Sequence, residues 1–405
     1  MKEVEDSRRI ALGISGGIAA YKTAELARLL IQSGYEVLPI MTPWATQFIG
    51  PLTLATLTGH RVRVDTPTGH AEEGIEHISL IRSAELLLIA PLTANTLAKM
   101  VHGLADNFLT TTYLAHKGAT LVCPAMNTAM LDHPATRRNL ARLAEDGVSI
   151  LHGEAGELAC GEMGAGRMAE PGRILDRVDQ IIGPKLAQIR DKKVLVSAGP
   201  TREDLDPVRF LSNRSSGKMG FAIARAFRNA GARVTLVHGP VQLEIPDGLE
   251  AISVRSAAQM AEAVLSRQEQ HQIVVMAAAV ADYCPSKQSH KLKKEAFDGR
   301  LELERTTDIL ATLGERKRPG QLLIGFAAET ENLRQNALNK LKRKNLDFIF
   351  ANDVSQELLG FESDRNNITA FDAKGQAWEL GTDDKNRLAR TIVSRIALHL
   401  AEEKC

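Results

Sequence analysis

The sequence predicts an α/β protein with two doubly wound parallel sheets, one in each half of the 405-residue chain. Two stretches of similar design lead to this prediction. Residues 9–22 and 192–220 each start with basic residues, continue through a short apolar run and then reach a turn of small residues before a helical pattern. Such apolar runs are typical of strands buried in a parallel sheet, where helices cross from one strand to the next. The chain is also longer than one typical domain.

The change of pattern after Arg177 predicts a domain boundary at about residue 190. Helical periodicity ends at Gly183-Pro184, and a charged stretch follows up to Lys193. Glycine, proline and charged residues in this order are typical of an exposed connection between domains. The predicted domains are therefore residues 1–190 and 191–405.

Composition argues against several classes of function. The net charge is +1 and aromatic residues make up 4% of the chain, so neither nucleic acid nor a membrane surface is an expected partner. Apolar runs are too short to span a membrane and no signal-type apolar core is found, which predicts a cytoplasmic protein. The four cysteines, Cys123, Cys160, Cys284 and Cys405, form no CxxC pair, so we expect no zinc site and no disulfide framework.

Small and polar residues follow four predicted strands in the first half of the chain. These groups are Ser15-Gly16-Gly17, Thr42, Thr93-Ala94-Asn95 and Asn127. The carboxyl ends of parallel strands meet at one edge of a sheet, so one pocket could collect all four groups. The Ser-Gly-Gly turn alone is a weak signal, because any tight strand–helix turn can use such glycines.

The end of the second predicted strand favours a mononucleotide. A dinucleotide's ribose usually meets Asp or Glu at this place, whereas the sequence here is Met41-Thr42-Pro43. The residues therefore disfavour NAD and fit a mononucleotide such as FMN better. An NAD(P)-dependent oxidoreductase with two Rossmann-like units remains the alternative from another class.

Two residues outside these strand ends are candidates for chemistry. His77 lies just before the third strand, although a solvated loop histidine would look the same. Cys160 lies in a glycine-rich segment without helical or strand periodicity, which resembles a mobile flap. The alternative for Cys160 is a small apolar residue that is merely tolerated there.

The second half contains a candidate anion site. A loop of donors, Asn213 to Lys218, leads into a helical pattern, and backbone N–H groups at a helix start bind anions. Three lysines, Lys291, Lys340 and Lys344, accompany predicted strand-end turns that could all face one crevice. Lys340 and Lys344 share one helical face, where unpaired like charges would cost stability without an anion between them. Solvated lysine clusters are the alternative, and the sequence has no Walker GxxxxGK[ST] motif for a P-loop kinase.

Several motifs carry a family resemblance. SGGIAAYK, the histidine of IEHISL, APLTANTLAK, PAMNTAM and ACGEMGAGRM resemble the flavin-dependent cysteine decarboxylases. AGPTREDLDPVRFLSNRSSGKMG and AAVADY followed by KLKK resemble the phosphopantothenate–cysteine ligases. In this order, over residues 8 to 400, they resemble the bacterial bifunctional decarboxylase/ligase family of coenzyme A biosynthesis. Leu131 is a departure, since the family commonly has an aromatic residue there; the change affects packing and removes no reacting group.

The resemblance implies a flavodoxin-like N-terminal decarboxylase domain and a Rossmann-like C-terminal ligase domain. In the first, His77 would be the base beside FMN, Asn127 would anchor the substrate carboxylate and Cys160 would donate a proton. The implied cycle is redox-neutral. FMN oxidises the thiol-bearing carbon, the thioaldehyde lets carbon dioxide leave, and the hydride then returns to the enethiol. The residues implied to bind FMN are Ser15, Gly16, Gly17, Ile18, Thr42, Thr93, Ala94, Asn95, Thr96 and Ala125.

For the second domain, the resemblance implies a CTP-dependent reaction in two steps. The carboxylate of 4′-phosphopantothenate attacks the α-phosphate of CTP, and cysteine then displaces CMP from the acyl-cytidylate. Lys291 would be the catalytic lysine, Asn213 would hold the acyl-cytidylate and Arg209 would support 4′-phosphopantothenate. Mg²⁺ is expected on the triphosphate, without assigned protein ligands. The implied CTP-binding residues are Met276, Ala277, Ala278, Asp282, Lys291, Thr307, Asp308, Ile309, Leu310, Phe326, Lys340 and Lys344.

The expected partners are therefore the small molecules 4′-phosphopantothenate, cysteine and CTP. The resemblance also implies a homo-oligomer, a dodecamer built from decarboxylase trimers and ligase dimers. The choice of CTP is implied in the same way, because no residue of the sequence visibly reads cytosine. A non-catalytic flavin-binding regulatory protein is a further alternative, which the joint presence of His77, Asn127, Cys160, Asn213 and Lys291 disfavours.

Overall fold

The chain folds into two compact units, Met1–Gly183 and Pro184–Cys405. The computed structural model describes residues 8–64, 83–157, 163–183, 185–291, 300–329, 331–353 and 363–402. In these ranges, none of the helices combines the length and the apolar character that crossing a membrane requires. The division between the units lies a little before residue 190, where the sequence predicts the boundary.

The N-terminal unit is built on a parallel sheet of five strands. Its strands are β1 Arg9–Ile14, β2 Glu36–Met41, β3 Leu86–Leu92, β4 Ala119–Pro124 and β5 Ser149–Ile150. They lie in the order β2-β1-β3-β4-β5, and every neighbouring pair is parallel. This order is that of the flavodoxin-like sheet, whose switch point lies between the first and third strands. A short antiparallel pair, β6 Gly156–Glu157 and β7 Met163–Gly164, follows.

Helices cover both faces of this sheet. They are α1 Lys22–Gln32, α2 Pro51–Thr58, α3 Ala94–His102, α4 Phe108–Ala115, α5 Thr128–Asp132, α6 Pro134–Glu145 and α7 Pro171–Ile182, with 3₁₀ turns at Ile18–Tyr21 and Pro43–Gln47. Successive strand residues point to opposite faces. Ile10 and Leu12 of β1 therefore join the core beneath α1 and α7, while Ala11 joins the core beneath α3 and α4. The predicted parallel architecture of the first half is confirmed.

The C-terminal unit contains a mixed sheet of eight strands. They are β8 Lys193–Ala198, β11 Arg233–His238, β12 Glu250–Ser253, β13 Ile273–Met276, β16 Leu322–Glu329, β17 Phe348–Asp353, β18 Arg365–Asp372 and β19 Ala377–Asp384. The order is β12-β11-β8-β13-β16-β17-β18-β19. The first six strands of this row are parallel and follow the Rossmann order 3-2-1-4-5-6. Two short antiparallel pairs project from it, β9 Arg202–Asp204 with β10 Phe210–Ser212 and β14 Tyr283–Pro285 with β15 Leu303–Arg305.

Helices again form a layer on each face of the C-terminal sheet. They are α8 Lys218–Asn229, α9 Ala257–Leu265, α10 Ile309–Glu315, α11 Leu333–Arg343 and α12 Lys385–Glu402, with a 3₁₀ turn at Gln268–Gln270. Phe227 of α8 and Ile392 of α12 pack in the core of one face, and Met260 of α9 and Leu341 of α11 pack in the other. The Rossmann-like class predicted for this half is confirmed.

The last two strands depart from the predicted parallel pattern. β18 pairs antiparallel with β17, and β19 pairs antiparallel with β18. The connection explains the direction, because only residues 373–376 separate β18 from β19 and Gly375 adopts a φ of +81°. A return to a parallel neighbour needs a crossover of a dozen or more residues, whereas a short turn makes a hairpin.

Gly220 allows α8 to lie directly against β8. A Cβ at this position would lie 2.5 Å from the Cβ of Ala198 and 3.1 Å from the carbonyl oxygen of Ser197. Real Cβ atoms do not approach their neighbours this closely, so any side chain here would push the helix off the strand. This close packing holds the start of α8 at the carboxyl end of β8.

We predict that Gly220→Ala destabilises the C-terminal unit by about 1–3 kcal/mol because of this overlap, although alanine is the better helix former by about 1 kcal/mol. Calorimetric unfolding of the full chain without ligands measures the change. Gly172→Ala is the matched control, since a Cβ at Gly172 would meet nothing within 4 Å. Equal or higher stability of Gly220→Ala would contradict the packing argument.

Candidate functional site

The N-terminal unit contains a cavity of about 1080 Å³ at the carboxyl edge of its sheet. The predicted flavin-site residues that line it are Gly16, Gly17, Ile18, Thr42, Thr93, Ala94, Asn95, Thr96, Ala125 and Asn127. They come from the ends of β1, β2, β3 and β4 and from the helices that follow. The structure therefore brings together the four strand-end groups of the first half.

Ser15 is the one predicted flavin-site residue that does not line the cavity. It is fully buried, its hydroxyl donates to the Pro91 carbonyl oxygen at 2.7 Å, and its oxygen accepts from the backbone N–H of Thr93 at 2.9 Å. These bonds tie the end of β1 to the end of β3. Ser15 thereby fixes the spacing of the two loops that meet at the switch point.

Two separate motifs meet around Asn127. Its side-chain oxygen accepts from the backbone N–H of Ala129 at 2.8 Å and so caps α5. The backbone N–H of Met126 donates to the Gly166 carbonyl oxygen at 2.9 Å, and the Thr128 hydroxyl donates to the Ala165 carbonyl oxygen at 2.7 Å. Gly166 adopts a φ of +128°, and a Cβ there would overlap the carbonyl oxygen of Met126. Glycine is therefore required where the GAGRM segment lies against PAMN.

Several lining residues were missed by the sequence analysis. Trp44 is 66% exposed and follows Thr42 in the turn after β2. Lys22 and Arg167 both contact Glu170, at 2.7 and 3.1 Å. Trp44 could have been found from its place directly after a strand-end threonine. Lys22 could not, because its carboxylate partner Glu170 is far away in sequence, whereas Arg167 lies only three residues before Glu170.

Lys99 and Asp106 add a further ion pair to the cavity wall, with 2.6 Å between Nζ and Oδ2. The hydrogen bond from Lys99 holds the pKa of Asp106 below its usual value. Asn107 follows directly, and its side-chain oxygen caps α4 by accepting from the N–H of Thr110 at 3.1 Å. These polar groups line the cavity together with the apolar residues Ile18 and Met130.

His77 and Cys160 lie outside the described residues, so their predicted roles stay predictions. The residues that are described fit a flavin mononucleotide. Backbone N–H groups at the start of the 3₁₀ turn Ile18–Tyr21 and of α3 point toward the carboxyl edge, where they can receive a phosphate. The cavity is of the size of cofactor sites and combines apolar walls with a few polar groups.

The C-terminal unit contains a second cavity, of about 400 Å³, at the carboxyl edge of its own sheet. The predicted ligase residues that line it are Asn213, Met276, Ala277, Ala278, Asp282, Thr307, Asp308, Ile309, Leu310, Phe326, Lys340 and Lys344. It lies where β8 and β13 end, which is the switch point of the 3-2-1-4-5-6 order. Ligands of such sheets bind at this crevice.

Side chains at the end of β8 hold the Met276–Ala281 wall in position. Ser197 Oγ accepts from the N–H of Ala278 at 3.2 Å, and Thr201 Oγ1 accepts from the N–H of Ala281 at 3.0 Å. On the cavity side, Asn213 Nδ2 donates to the Val280 carbonyl oxygen at 3.0 Å. The wall is therefore fixed by hydrogen bonds, and its small side chains leave the backbone open to a ligand.

The loop before α8, which the sequence predicts to be an anion site, lines one part of the cavity. Ser215, Ser216, Gly217 and Lys218 all line it. Gly217 adopts a φ of +76° as the residue preceding the helix, and its N–H donates to Ser215 Oγ at 3.3 Å. A helix of 12 residues that starts at a cavity offers N–H groups and a positive dipole end to an anion.

The prediction that Lys340 and Lys344 carry unpaired charges is wrong. Lys340 Nζ lies 2.6 Å from Glu329 Oε1, and Lys344 Nζ lies 2.8 Å from Asp308 Oδ1. Burial opposes the ionised form of Asp308, but hydrogen bonds from Lys344 and from the N–H of Ala311 hold its pKa below the usual value. Both lysines line the cavity, as predicted, and each positive charge is balanced by its carboxylate partner.

Lys291 and Arg209 do not line the cavity. Lys291 is exposed at the edge of the described range. Arg209 makes two hydrogen bonds to the buried carboxylate of Asp206, from Nε at 3.0 Å and from Nη2 at 2.7 Å. This fork fixes the guanidinium on the β9–β10 hairpin.

Besides Thr306, three polar residues of this cavity were missed by the sequence analysis. They are Asn352 at the end of β17, Asn366 in β18 and Lys385 at the start of α12. Asn352 Oδ1 accepts from the N–H of Asn367 at 3.2 Å and so joins β17 to β18. Asn366 and Lys385 come from the antiparallel edge, which the sequence pattern did not place beside the parallel strands, whereas Asn352 ends the parallel strand β17.

The fold and the two cavities define a two-domain α/β protein with nucleotide-type sites. Family models agree with this division: "Flavoprotein" matches residues 1–183, and "DNA/pantothenate metabolism flavoprotein C-terminal domain" matches residues 189–399. The chain therefore belongs to the class of flavoproteins of pantothenate metabolism.

Relatives specify the family. The chain is 45% identical over 395 residues to the coenzyme A biosynthesis bifunctional protein CoaBC of Bacillus subtilis (strain 168), with 97% of each chain covered. It is 40% identical over 400 residues to the protein of the same name from Escherichia coli (strain K12), with 98% of each covered. The chain belongs to the family of coenzyme A biosynthesis bifunctional proteins, which are enzymes that combine a decarboxylase with a ligase.

Solved structures are similar to each half. The C-terminal domain of a coenzyme A biosynthesis bifunctional protein CoaBC is 43% identical and covers 53% of this chain and 100% of its own, with a TM-score of 0.46. A PPC decarboxylase mutant complexed with pantothenoylaminoethenethiol is 35% identical and covers 42% of this chain and 96% of its own, with a TM-score of 0.40.

We predict that the Asp308–Lys344 pair stabilises the C-terminal unit only while Asp308 is ionised. Because the pKa of Asp308 is lowered in the folded chain, its contribution is present above the unfolded-state pKa and is lost as pH falls through the folded-state value. Asp308→Asn keeps the helix cap but removes the charge. The substitution should lower the free energy of unfolding by about 0.5 kcal/mol at pH 7. The value is small because solvent screens the charge of a half-exposed carboxylate.

The difference in free energy of unfolding between the wild type and Asp308→Asn is measured from pH 7 to about pH 3. This pH range spans the ordinary pKa values of carboxylates. The difference should shrink toward acid. In a Lys344→Gln background it should already be small at pH 7, which serves as the control. A difference that grows in acid would contradict the assigned ion pair.

Proposed function

We propose that the C-terminal unit joins cysteine to 4′-phosphopantothenate at the expense of CTP and that the N-terminal unit decarboxylates the product to 4′-phosphopantetheine. The observation that carries this proposal is the pair of cavities, one in each unit, which are lined by most of the residues predicted to bind the flavin and the nucleotide. Family membership supports the two activities, and the residue roles below are our assignments.

In the ligase cavity, the reaction begins with attack of the 4′-phosphopantothenate carboxylate on the α-phosphorus of CTP. A carboxylate oxygen–phosphorus bond forms, the bond from the α-phosphorus to the bridging oxygen breaks, and pyrophosphate leaves. The cysteine amine then attacks the acyl carbon, CMP leaves, and the amine proton passes to solvent. Asn213 borders the phosphate loop and would hold the acyl-cytidylate, and Arg209, fixed by Asp206, would support 4′-phosphopantothenate.

Charge is the main requirement of this first step. Negative charge grows on the α-phosphate, and preorganised cations at that place are worth about two to three orders of magnitude in rate. Lys340 and Lys344 lie in the cavity wall, and we assign them to CTP. We also assign the catalytic role to Lys291. This role requires the exposed segment that ends at Lys291 to reach the cavity. Mg²⁺ would bind the triphosphate through phosphate oxygens, the ligands this ion prefers.

In the N-terminal cavity, we assign FMN to the strand-end loops. A bound flavin would supply reversible hydride uptake from the thiol-bearing carbon, which would let carbon dioxide leave from the neighbouring α-carbon without an outside reductant. Asn127 is fixed at the start of α5 and would hold the substrate carboxylate. His77 would act as base beside the flavin. Cys160 would donate the last proton, since a thiol with an ordinary pKa of about 8.5 is mostly protonated near neutral pH.

No observation favours the alternative functions. For an NAD(P)-dependent oxidoreductase, the end of β2 would need an acidic partner for the ribose, but Thr42 occupies it and caps the following turn through the N–H of Ala45. A regulatory protein without catalysis would not need the lysine-lined second cavity.

We also propose that the chain forms a homo-oligomer, with decarboxylase trimers and ligase dimers in a dodecamer. The support is indirect. Large apolar side chains are exposed in both units, among them Trp44 and Met163 in the N-terminal unit and Val208 and Tyr283 in the C-terminal unit. Subunit interfaces would cover such side chains where they form a patch.

We predict that the two activities can be removed separately. His77→Asn should abolish carbon dioxide release from phosphopantothenoylcysteine and leave CTP-dependent pyrophosphate release intact, because the two groups belong to different units. Lys291→Gln should slow pyrophosphate release by about two orders of magnitude at saturating CTP and leave decarboxylation intact.

Both variants are measured as full chains with both assays, so each serves as the control of the other. Flavin absorbance checks that His77→Asn retains its cofactor. Loss of both activities in a folded, flavin-loaded His77→Asn variant would refute the assignment of the units. An unchanged rate in Lys291→Gln would make that lysine a surface charge.

A further inference from the structure

Two threonine hydroxyls hold the backbone of Ala281 in the wall of the ligase cavity. The N–H of Ala281 donates to Thr201 Oγ1 at 3.0 Å, and its carbonyl oxygen accepts from Thr306 Oγ1 at 2.6 Å. Ala281 is 7% exposed, and buried backbone groups of this kind need partners within the protein. Side chains from two distant parts of the sequence therefore fix one residue of the wall.

The two threonines come from different elements of the C-terminal unit. Thr201 follows β8, is fully buried and does not line the cavity. Ser197 of β8 also bonds to the wall, so the carboxyl end of β8 supports it at two places. Thr306 instead follows β15 and lines the cavity itself. Its hydroxyl joins the wall to a second segment, which the β8 contacts do not reach.

Thr306 also bonds to the wall through its backbone. Its N–H donates to the carbonyl oxygen of Asp282 at 3.0 Å, next to the antiparallel pairing of β14 with β15. The hydroxyl and the N–H of Thr306 thus hold the carbonyl oxygens of two successive residues. Two residues further on, Asp308 caps α10 by accepting from the N–H of Ala311 at 3.0 Å. Thr306 therefore connects the wall to the start of α10.

Asp282 is the charged residue whose backbone these bonds hold. It is exposed and lines the cavity. Its carboxylate has no ion-pair or hydrogen-bond partner in the part of the chain that the structure describes. Because no side chain there orients this carboxylate, its position in the cavity depends on the backbone of Ala281 and Asp282. The Thr306 hydroxyl is thus placed to act on a ligand contact that it does not make itself.

We propose that Thr306 is a positioning residue of the ligase cavity, which acts through Ala281 to hold the Asp282 carboxylate where the nucleotide binds. The proposal rests on the ligase function, under which Asp282 contacts CTP, and it adds a residue that the sequence motifs did not include. Without the hydroxyl, the buried carbonyl oxygen of Ala281 loses its donor, which is costly. The backbone that carries Asp282 then rearranges, and the cavity binds CTP less tightly.

The first test measures CTP binding to the full chain by calorimetric titration in the presence of Mg²⁺. Thr306→Val keeps the shape of the side chain and removes the hydroxyl, so it should raise the dissociation constant by about three- to tenfold, the usual effect of losing one neutral hydrogen bond. Thr306→Ser keeps the hydroxyl and should restore most of the wild-type affinity. The unfolding transition of the C-terminal unit checks that each variant is folded at the temperature of the titration.

Thr391→Val is the matched control. Thr391 is exposed on α12, and its hydroxyl also donates to a backbone carbonyl oxygen, that of Arg387 at 3.1 Å. It does not line the cavity, so its loss should leave CTP binding unchanged.

A double-mutant cycle separates positioning from general loosening of the fold. Asp282→Ala removes the carboxylate that Thr306 is proposed to position, and this variant should bind CTP more weakly than the wild type. Adding Thr306→Val to Asp282→Ala should then weaken binding little further, because residues that act through one contact are not additive. A purely structural role of Thr306 predicts the same loss in both backgrounds.

The outcomes distinguish this proposal from the ligase function. If the wild type binds CTP, then unchanged affinity in folded Thr306→Val, no recovery in Thr306→Ser, or equal losses with and without the Asp282 carboxylate would overturn the role of Thr306 alone. No CTP binding by the wild type would overturn the ligase function and this role with it.

Discussion

The common edge at which parallel strands end is the constraint on which both sites depend. In each unit, a strand order with one reversal leaves a crevice between two neighbouring strands, and the loops after those strands open into it. Helices that start at this edge direct backbone N–H groups to the crevice. The residues for cofactor and nucleotide therefore come from distant parts of the chain, and Ser15 and Ser197 tie the strand ends so that the loops keep their spacing.

Charge balance is the second feature that the structure adds. In the ligase cavity, Lys340 and Lys344 have carboxylate partners, and Lys218 has Asp364. A cavity that keeps several cations close together without ligand needs such partners, because like charges in a confined space repel. Under the proposed ligase function, binding a triphosphate would exchange these carboxylates for phosphate oxygens. We expect this exchange to favour the nucleotide because phosphate carries more charge and is held by helix N-termini as well.

The sequence was sufficient for the architecture and for most of the cavity walls, because strand ends can be read from apolar runs followed by small residues. It was not sufficient to predict ion-pair partners that come together only in the folded chain. Glu329 and Asp308 each form an ion pair with a lysine from a different element. The local sequence does not predict these pairs. Lys385 and Asn366 lie on the antiparallel edge, where a four-residue turn replaced the expected crossover. The roles of His77 and Cys160 rest on motif resemblance, since both lie outside the part of the chain that the structure describes.

We propose that the chain carries one flavin mononucleotide site and one separate CTP site. Thermal unfolding of the purified full chain with CTP and Mg²⁺, or with NADPH, tests it most directly when the bound flavin is identified by mass in the same sample. We expect one FMN per chain and a C-terminal transition stabilised by about 2.7 kcal/mol at a CTP concentration of roughly a hundred times its dissociation constant. NADPH should leave that transition unchanged. Stabilisation by NADPH and not by CTP, or a chain purified without FMN that does not take it up, would contradict the account.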